Sequence, residues 1–112
     1  MTLTTQDIKD RAQAQLIVSA ASIVLGIPHF DVFSRRRLPA NDMILRQTSM
    51  YLLNTSCNYS QSHVARIFER DRGTVRQACA IVEDMRDNLD FDEKLNTLEF
   101  FLAKDPRLIQ VV

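Results

Sequence analysis

The sequence predicts an all-α fold of about five to six helices, and three observations carry that prediction. Glycine and proline are scarce, at two and three of 112 residues, which leaves few of the turns a strand-rich fold needs. Apolar residues recur at three- and four-residue spacings rather than alternating. The apolar segments are bounded by helix caps and stops. With 46% hydrophobic and 25% charged residues, residues 1–112 read as a single domain with enough apolar surface for a core.

The first helix spans about Thr5 to Leu25, with Asp7 and Asp10 in its first turns, where negative charge suits the helix dipole. Gly26 and then Pro28 stop it. Ile8, Ala12, Leu16, Ala20, Ile23 and Val24 lie along one stripe, the predicted buried face. Phe30, Val32 and Phe33 suit a short helical turn plugging the core, and Ser34-Arg35-Arg36-Arg37-Leu38-Pro39 reads as an irregular basic loop. The second helix takes Asn41 or Asp42 as its N-cap, runs to about Asn54 and buries Met43, Ile44, Met50, Tyr51 and Leu53. Ser60 caps a short third helix from Gln61 to Phe68, with Val64, Ile67 and Phe68 inward. The fourth opens at Asp71 and continues to about Met85, with Val75, Ala78, Cys79, Val82 and Met85 on one face. The last helix, 90–103, is capped around Asp90 and sets Phe91, Leu95, Leu98 and Phe101 or Leu102 opposite acidic residues.

Fourteen basic and fourteen acidic side chains give a formal net charge of zero, but the charges are segregated. Residues 35–76 carry eight Arg against three acidic residues, and residues 83–105 carry eight acidic against three basic. A basic middle and an acidic end make the chain electrically lopsided.

Helices three and four are separated only by Glu69-Arg70, so Ser60 to Met85 has the length of a helix-turn-helix unit. In that unit the start of the second helix enters the DNA major groove. Here those turns carry Asp71, Arg72, Thr74, Arg76 and Gln77. Arg72 can fork onto guanine, Asp71 can accept from cytosine, Thr74 can touch a thymine methyl or a phosphate, and Gln77 can pair with adenine. Arg70 and Arg76 suit the phosphate backbone. Arg35, Arg36 and Arg37, in a loop with little apolar sequence around it, suit phosphate contact or minor-groove insertion. A packed helical hairpin with a solvated basic loop is the plainer reading of the same residues.

Arg46-Gln47, Met50 and Leu52, then Ser60, Val64 and Phe68, and above all Arg70-Asp71-Arg72-Gly73-Thr74-Val75 followed by Ala78-Cys79, resemble the C-terminal DNA-binding domain of the bacterial chromosomal replication initiator DnaA. The resemblance covers about Leu16 to Met85 and, more loosely, the acidic last helix. It implies a stand-alone relative of the initiator's DNA-reading domain. By that resemblance Asp71, Arg72, Gly73, Thr74 and Gln77 occupy base-reading positions, and Arg46, Gln47 and Ser60 join Arg35, Arg36, Arg37, Arg70 and Arg76 on the backbone or minor groove. The family signature has His where Arg72 stands and a hydroxyl where Gly73 stands, which implies an altered base preference. The family's Gly-Gly ahead of the motif is reduced to Glu69, which implies a reoriented recognition helix.

Other functions find little support in these residues. With only Gly26 and Gly73 the chain cannot build a phosphate-cradling loop, so no nucleotide and no cofactor are expected. Cys57, His63 and Cys79 lack zinc-site spacing, and no metal is expected. No nucleophile, base and orienting group suggest themselves as a set, so the chain is not expected to be an enzyme. His63 suits a local capping or surface role. Leu16 to Ile27 is too short and too interrupted to span a bilayer, Asp7 and Asp10 oppose a secretory leader, and two lone cysteines suit a reducing cytoplasm. A cytoplasmic, nucleoid-associated protein is expected. Two functions follow: sequence-specific binding of double-stranded DNA, regulating replication initiation or transcription, or a protein-interaction module that regulates replication initiation through a partner.

Overall fold

The computed structural model describes residues 3–28, 31–34 and 36–105, and among them every regular element is helical. The first helix, α1 (Thr5–Leu25), is started by Thr4. The Thr4 hydroxyl accepts from the Asp7 N–H while the Asp7 carboxylate accepts from the Thr4 N–H, a reciprocal capping box. These two bonds hold the exposed Asp7 carboxyl below the usual carboxylate range. Gly26, left-handed at φ 69, ends α1 as expected.

The buried face of α1 is only partly the predicted one: Ala20 and Val24 of the predicted stripe pack half-buried against the core. Asp10, Ala14, Ile17, Val18 and Ala21 are buried, whereas Ile8, Leu16 and Ile23 lie outside, Ile23 at 81% exposure. Residues 12–25 contain no charge, so the sequence pattern does not choose between two apolar faces. The chosen face carries Ala14 and Ala21, small enough for close approach by the neighbouring helices.

Val32 and Phe33 are buried in a turn, as predicted, and Phe30 lies outside the described residues. Helix α2 (Ala40–Thr55) starts before the predicted caps: Pro39 is its N-cap, and the Pro39 carbonyl accepts from the Met43 N–H at 2.9 Å. Proline's fixed φ suits a helix entry, and Asn41 and Asp42 fall inside the first turn. Eight residues of α2, Leu45, Arg46 and Thr48 to Leu53, are buried, because α1, α3 and α4 all pack on it. Leu45 and Leu52 are fully buried, whereas Met43 and Ile44 are only half-buried. The Ser49 hydroxyl donates to the Leu45 carbonyl at 2.8 Å, while the Thr48 hydroxyl, also buried, has no hydrogen-bond partner among the described residues.

Helices α3 (Gln61–Phe68) and α4 (Arg72–Met85) follow the predicted bounds. Helix α5 (Leu89–Ala103) is capped by Asn88, whose side chain accepts from the Phe91 N–H at 3.0 Å, and Asp90 lies inside its first turn. Leu95, Leu98 and Leu102 face the core and Phe101 faces out. Helix α5 closes on α1, and the chain has a radius of gyration of 13.2 Å, as expected for a compact chain of this length.

Candidate nucleic-acid interface

Helices α3 and α4 are joined by Glu69, Arg70 and Asp71. Glu69 adopts the left-handed conformation, φ 55 and ψ 48. Its N–H donates to the Arg66 carbonyl at 3.2 Å, and the Arg70 N–H donates to the Ala65 carbonyl at 2.9 Å. This is the helix stop that glycine usually makes, so Glu69 performs glycine's turn at a side-chain strain of about 1–2 kcal/mol. Asp71 then caps α4 through its carbonyl, which accepts from the Thr74 and Val75 N–H groups, and its side chain makes no cap bond.

Val75, Ala78 and Val82 bury one face of α4 against the core. That burial sends Asp71, Arg72, Gly73, Thr74, Arg76 and Gln77 outward, and all six are exposed. Among the described residues none of their side chains makes a hydrogen bond or ion pair within the chain. A Cβ at Gly73 would meet nothing within 4 Å, so the first turn of α4 is open at that position.

The arginines among the predicted backbone contacts divide into two groups. Arg36, Arg37 and Arg76 are exposed, and Arg35 lies outside the described residues. Arg46 and Arg70 instead point inward: both donate to the Ser34 carbonyl, at 3.2 and 2.8 Å. Arg46 is only 6% exposed and also reaches the Met43 sulfur at 3.0 Å. Burial, and secondarily the charge of Arg70, push the Arg46 pKa down. A helix-surface phosphate role for Arg46 is therefore corrected, because its guanidinium is consumed by the fold. Gln47 is half-buried in α2, and the Ser60 hydroxyl accepts from the His63 N–H at 3.1 Å as the α3 cap.

His63 goes beyond the capping or surface role expected of it. Its Nε2 lies 2.6 Å from Asp10 Oδ2, Gln6 Nε2 donates to the other Asp10 oxygen at 2.8 Å, and Tyr59 packs edge-on against the imidazole. Asp10 is only 5% exposed, so this pair ties α1 to α3. It lies in a cleft of about 510 Å³ also lined by Leu3, Arg11, Arg66 and Glu69. The signal in the sequence was the spacing of Asp10, Ala14, Ile17 and Ala21, a helical stripe that starts with a carboxylate. Beside it, burial pushes the Tyr59 hydroxyl up to about 12 and the Cys57 thiol up to about 11, which leaves Cys57 protonated and unreactive.

Arg86, at the end of α4, was not singled out by the sequence. Its guanidinium donates to Asp92 at 2.5 Å, Asn96 at 2.6 Å, both oxygens of Glu99 at 3.0 and 3.1 Å, and the Tyr51 hydroxyl at 3.2 Å. Part of the acidic end is thus neutralised within the fold. Among the described residues no three His, Cys, Asp or Glu side chains gather where they could hold a metal ion, and no helix is long and apolar enough to cross a membrane.

No family model, no curated protein and no solved structure matches the chain. Fold and site together define a small all-α protein with a short helix pair joined by a three-residue turn. The start of its α4 is exposed and polar, with Arg72 and Arg76 against Asp71.

Proposed function

We propose that the chain binds double-stranded DNA sequence-specifically through α4, in the manner of the initiator C-terminal domain, and so regulates replication initiation or transcription. One observation carries the reading: the first two turns of α4 present Asp71, Arg72, Thr74, Arg76 and Gln77 outward and uncommitted, while the opposite face is buried. Two turns of groove-reading side chains on a helix braced from behind are what direct base readout needs. Exposed Arg36, Arg37 and Arg66 extend the positive surface.

The test is selection from a random duplex library with the wild type and with Arg72→Ala. The wild type enriches one consensus and loses affinity steeply with salt, and Arg72→Ala relaxes the base it faces at a cost of about 1–3 kcal/mol. Lack of enrichment, or binding indifferent to salt, refutes the reading. A protein-interaction module is the second reading, favoured by the exposure of Ile8, Leu16, Ile23, Phe100 and Phe101 on α1 and α5. It predicts that substitutions on those two helices, and not Arg72→Ala, abolish regulation of replication initiation.

A further inference from the structure

We infer that Arg46 and Arg70 are positioning residues, which both donate to the Ser34 carbonyl and so fix the basic loop beside the start of α4. The inference rests on the DNA reading and adds that loop and helix meet the duplex as one preformed surface. Arg46 comes from the middle of α2 and Arg70 from the turn that launches α4, yet both guanidinium groups end on the same carbonyl, at 3.2 and 2.8 Å. Two cations converging on one acceptor repel each other, and burying one of them is costly. Apolar side chains would fill the same space more cheaply. What the arrangement adds is location: charge-assisted bonds to a named backbone atom fix where the loop begins.

The residue before the clamp is fixed independently. Phe33 stacks on Phe68, the last residue of α3, with ring centroids 4.8 Å apart, and the Arg11 guanidinium covers the Phe33 ring at 4.5 Å. Beyond the clamp the Arg36 N–H donates back to the Ser34 hydroxyl at 3.2 Å. Residues 33 and 34 are thereby tied to the end of α3 and to the turn before α4, and exposed Arg36 and Arg37 follow within three residues. Ordering a rotamer-rich loop before the encounter removes that cost from binding.

The experiment uses the full chain and a labelled duplex taken from the library selection, with Arg46→Met, Arg70→Met and Arg70→Lys. Each Met variant lowers affinity about tenfold through lost pre-ordering, while the slope of log K on log salt stays that of the wild type. Arg70→Lys, which keeps a donor, recovers most of the loss. Arg76→Ala, a phosphate contact, lowers the slope by about one. Without DNA, brief trypsin treatment below the melting temperature cleaves after Arg36 and Arg37 faster in the Met variants. If Arg46→Met fails to fold, Arg70→Met, at a half-buried residue of the turn, carries the test. Unchanged affinity and cleavage, or a slope lowered by about one per Met substitution, overturns the positioning role while leaving DNA binding intact. Absence of wild-type binding to any duplex overturns the DNA reading, and with it this inference, whatever the cleavage result.

Discussion

Replacing Arg86 with Met removes the guanidinium that Tyr51, Asp92 and Glu99 share and leaves a shorter, unbranched apolar side chain in its place. In the wild type this guanidinium joins three helices: Tyr51 in α2, its own position at the end of α4, and Asp92, Asn96 and Glu99 in α5. The forked bond to Glu99, assisted by Asp92 and Tyr51, raises the Arg86 pKa above its ordinary value, so the charge is present at every pH at which the protein is studied. The Arg86 side chain is 16% exposed and its carboxylate partners about a third exposed. That places the cluster between an exposed pair, worth at most about 1 kcal/mol, and a buried one, whose disruption costs about 3–5 kcal/mol. A loss of about 2 kcal/mol is expected. With about 2.1 cal/mol/K of unfolding entropy per residue, that loss lowers the melting temperature by about 8 °C. Thermal unfolding followed by circular dichroism at neutral pH measures it. Most of the difference persists in 1 M salt, since the pairs are largely sheltered, and adding Glu99→Gln to the variant recovers part of it by relieving carboxylate repulsion. A shift below about 2 °C, or one abolished by salt, refutes the view that Arg86 fastens α5 to the helix pair.

Two further substitutions test local features of the fold. Glu69→Gly relieves the left-handed strain in the turn before α4 and is expected to stabilise the protein by about 0.5–1 kcal/mol, the gain being reduced by glycine's greater freedom in the unfolded chain; denaturant unfolding measures it, and a loss of stability refutes the reading. Thr48→Val replaces a buried hydroxyl that has no partner among the described residues with a methyl of similar size, and a gain of about 1 kcal/mol in the same assay is expected, whereas an equal loss shows that the hydroxyl is satisfied.

The placement of Glu69 shows how local and tertiary information divide. No glycine stands between α3 and α4, yet the structure makes the helix stop by placing a glutamate in glycine's conformation. The two bonds that close the turn are backbone bonds, so they form whatever side chain stands there. Arg46 shows the opposite limit. Its partner, the Ser34 carbonyl, lies twelve residues away, and no local pattern announces which carbonyl a buried guanidinium will reach.

The sequence by itself determined the five described helices and nearly all their ends, because caps, stops and left-handed turns act within four or five residues of chain. It also determined which face of α4 is buried, since Val75, Ala78 and Val82 form the one apolar stripe on a polar helix. The tertiary structure alone decided which face of α1 turns inward, because two apolar faces of nearly equal character leave that choice to the fit of Ala14 and Ala21 against the neighbouring helices. It alone decided which arginines remain outside. Charge counts along the chain treat Arg46, Arg70, Arg72 and Arg76 alike, and only the packing of α2 against the loop and turn draws the first two inward and leaves the others at the surface.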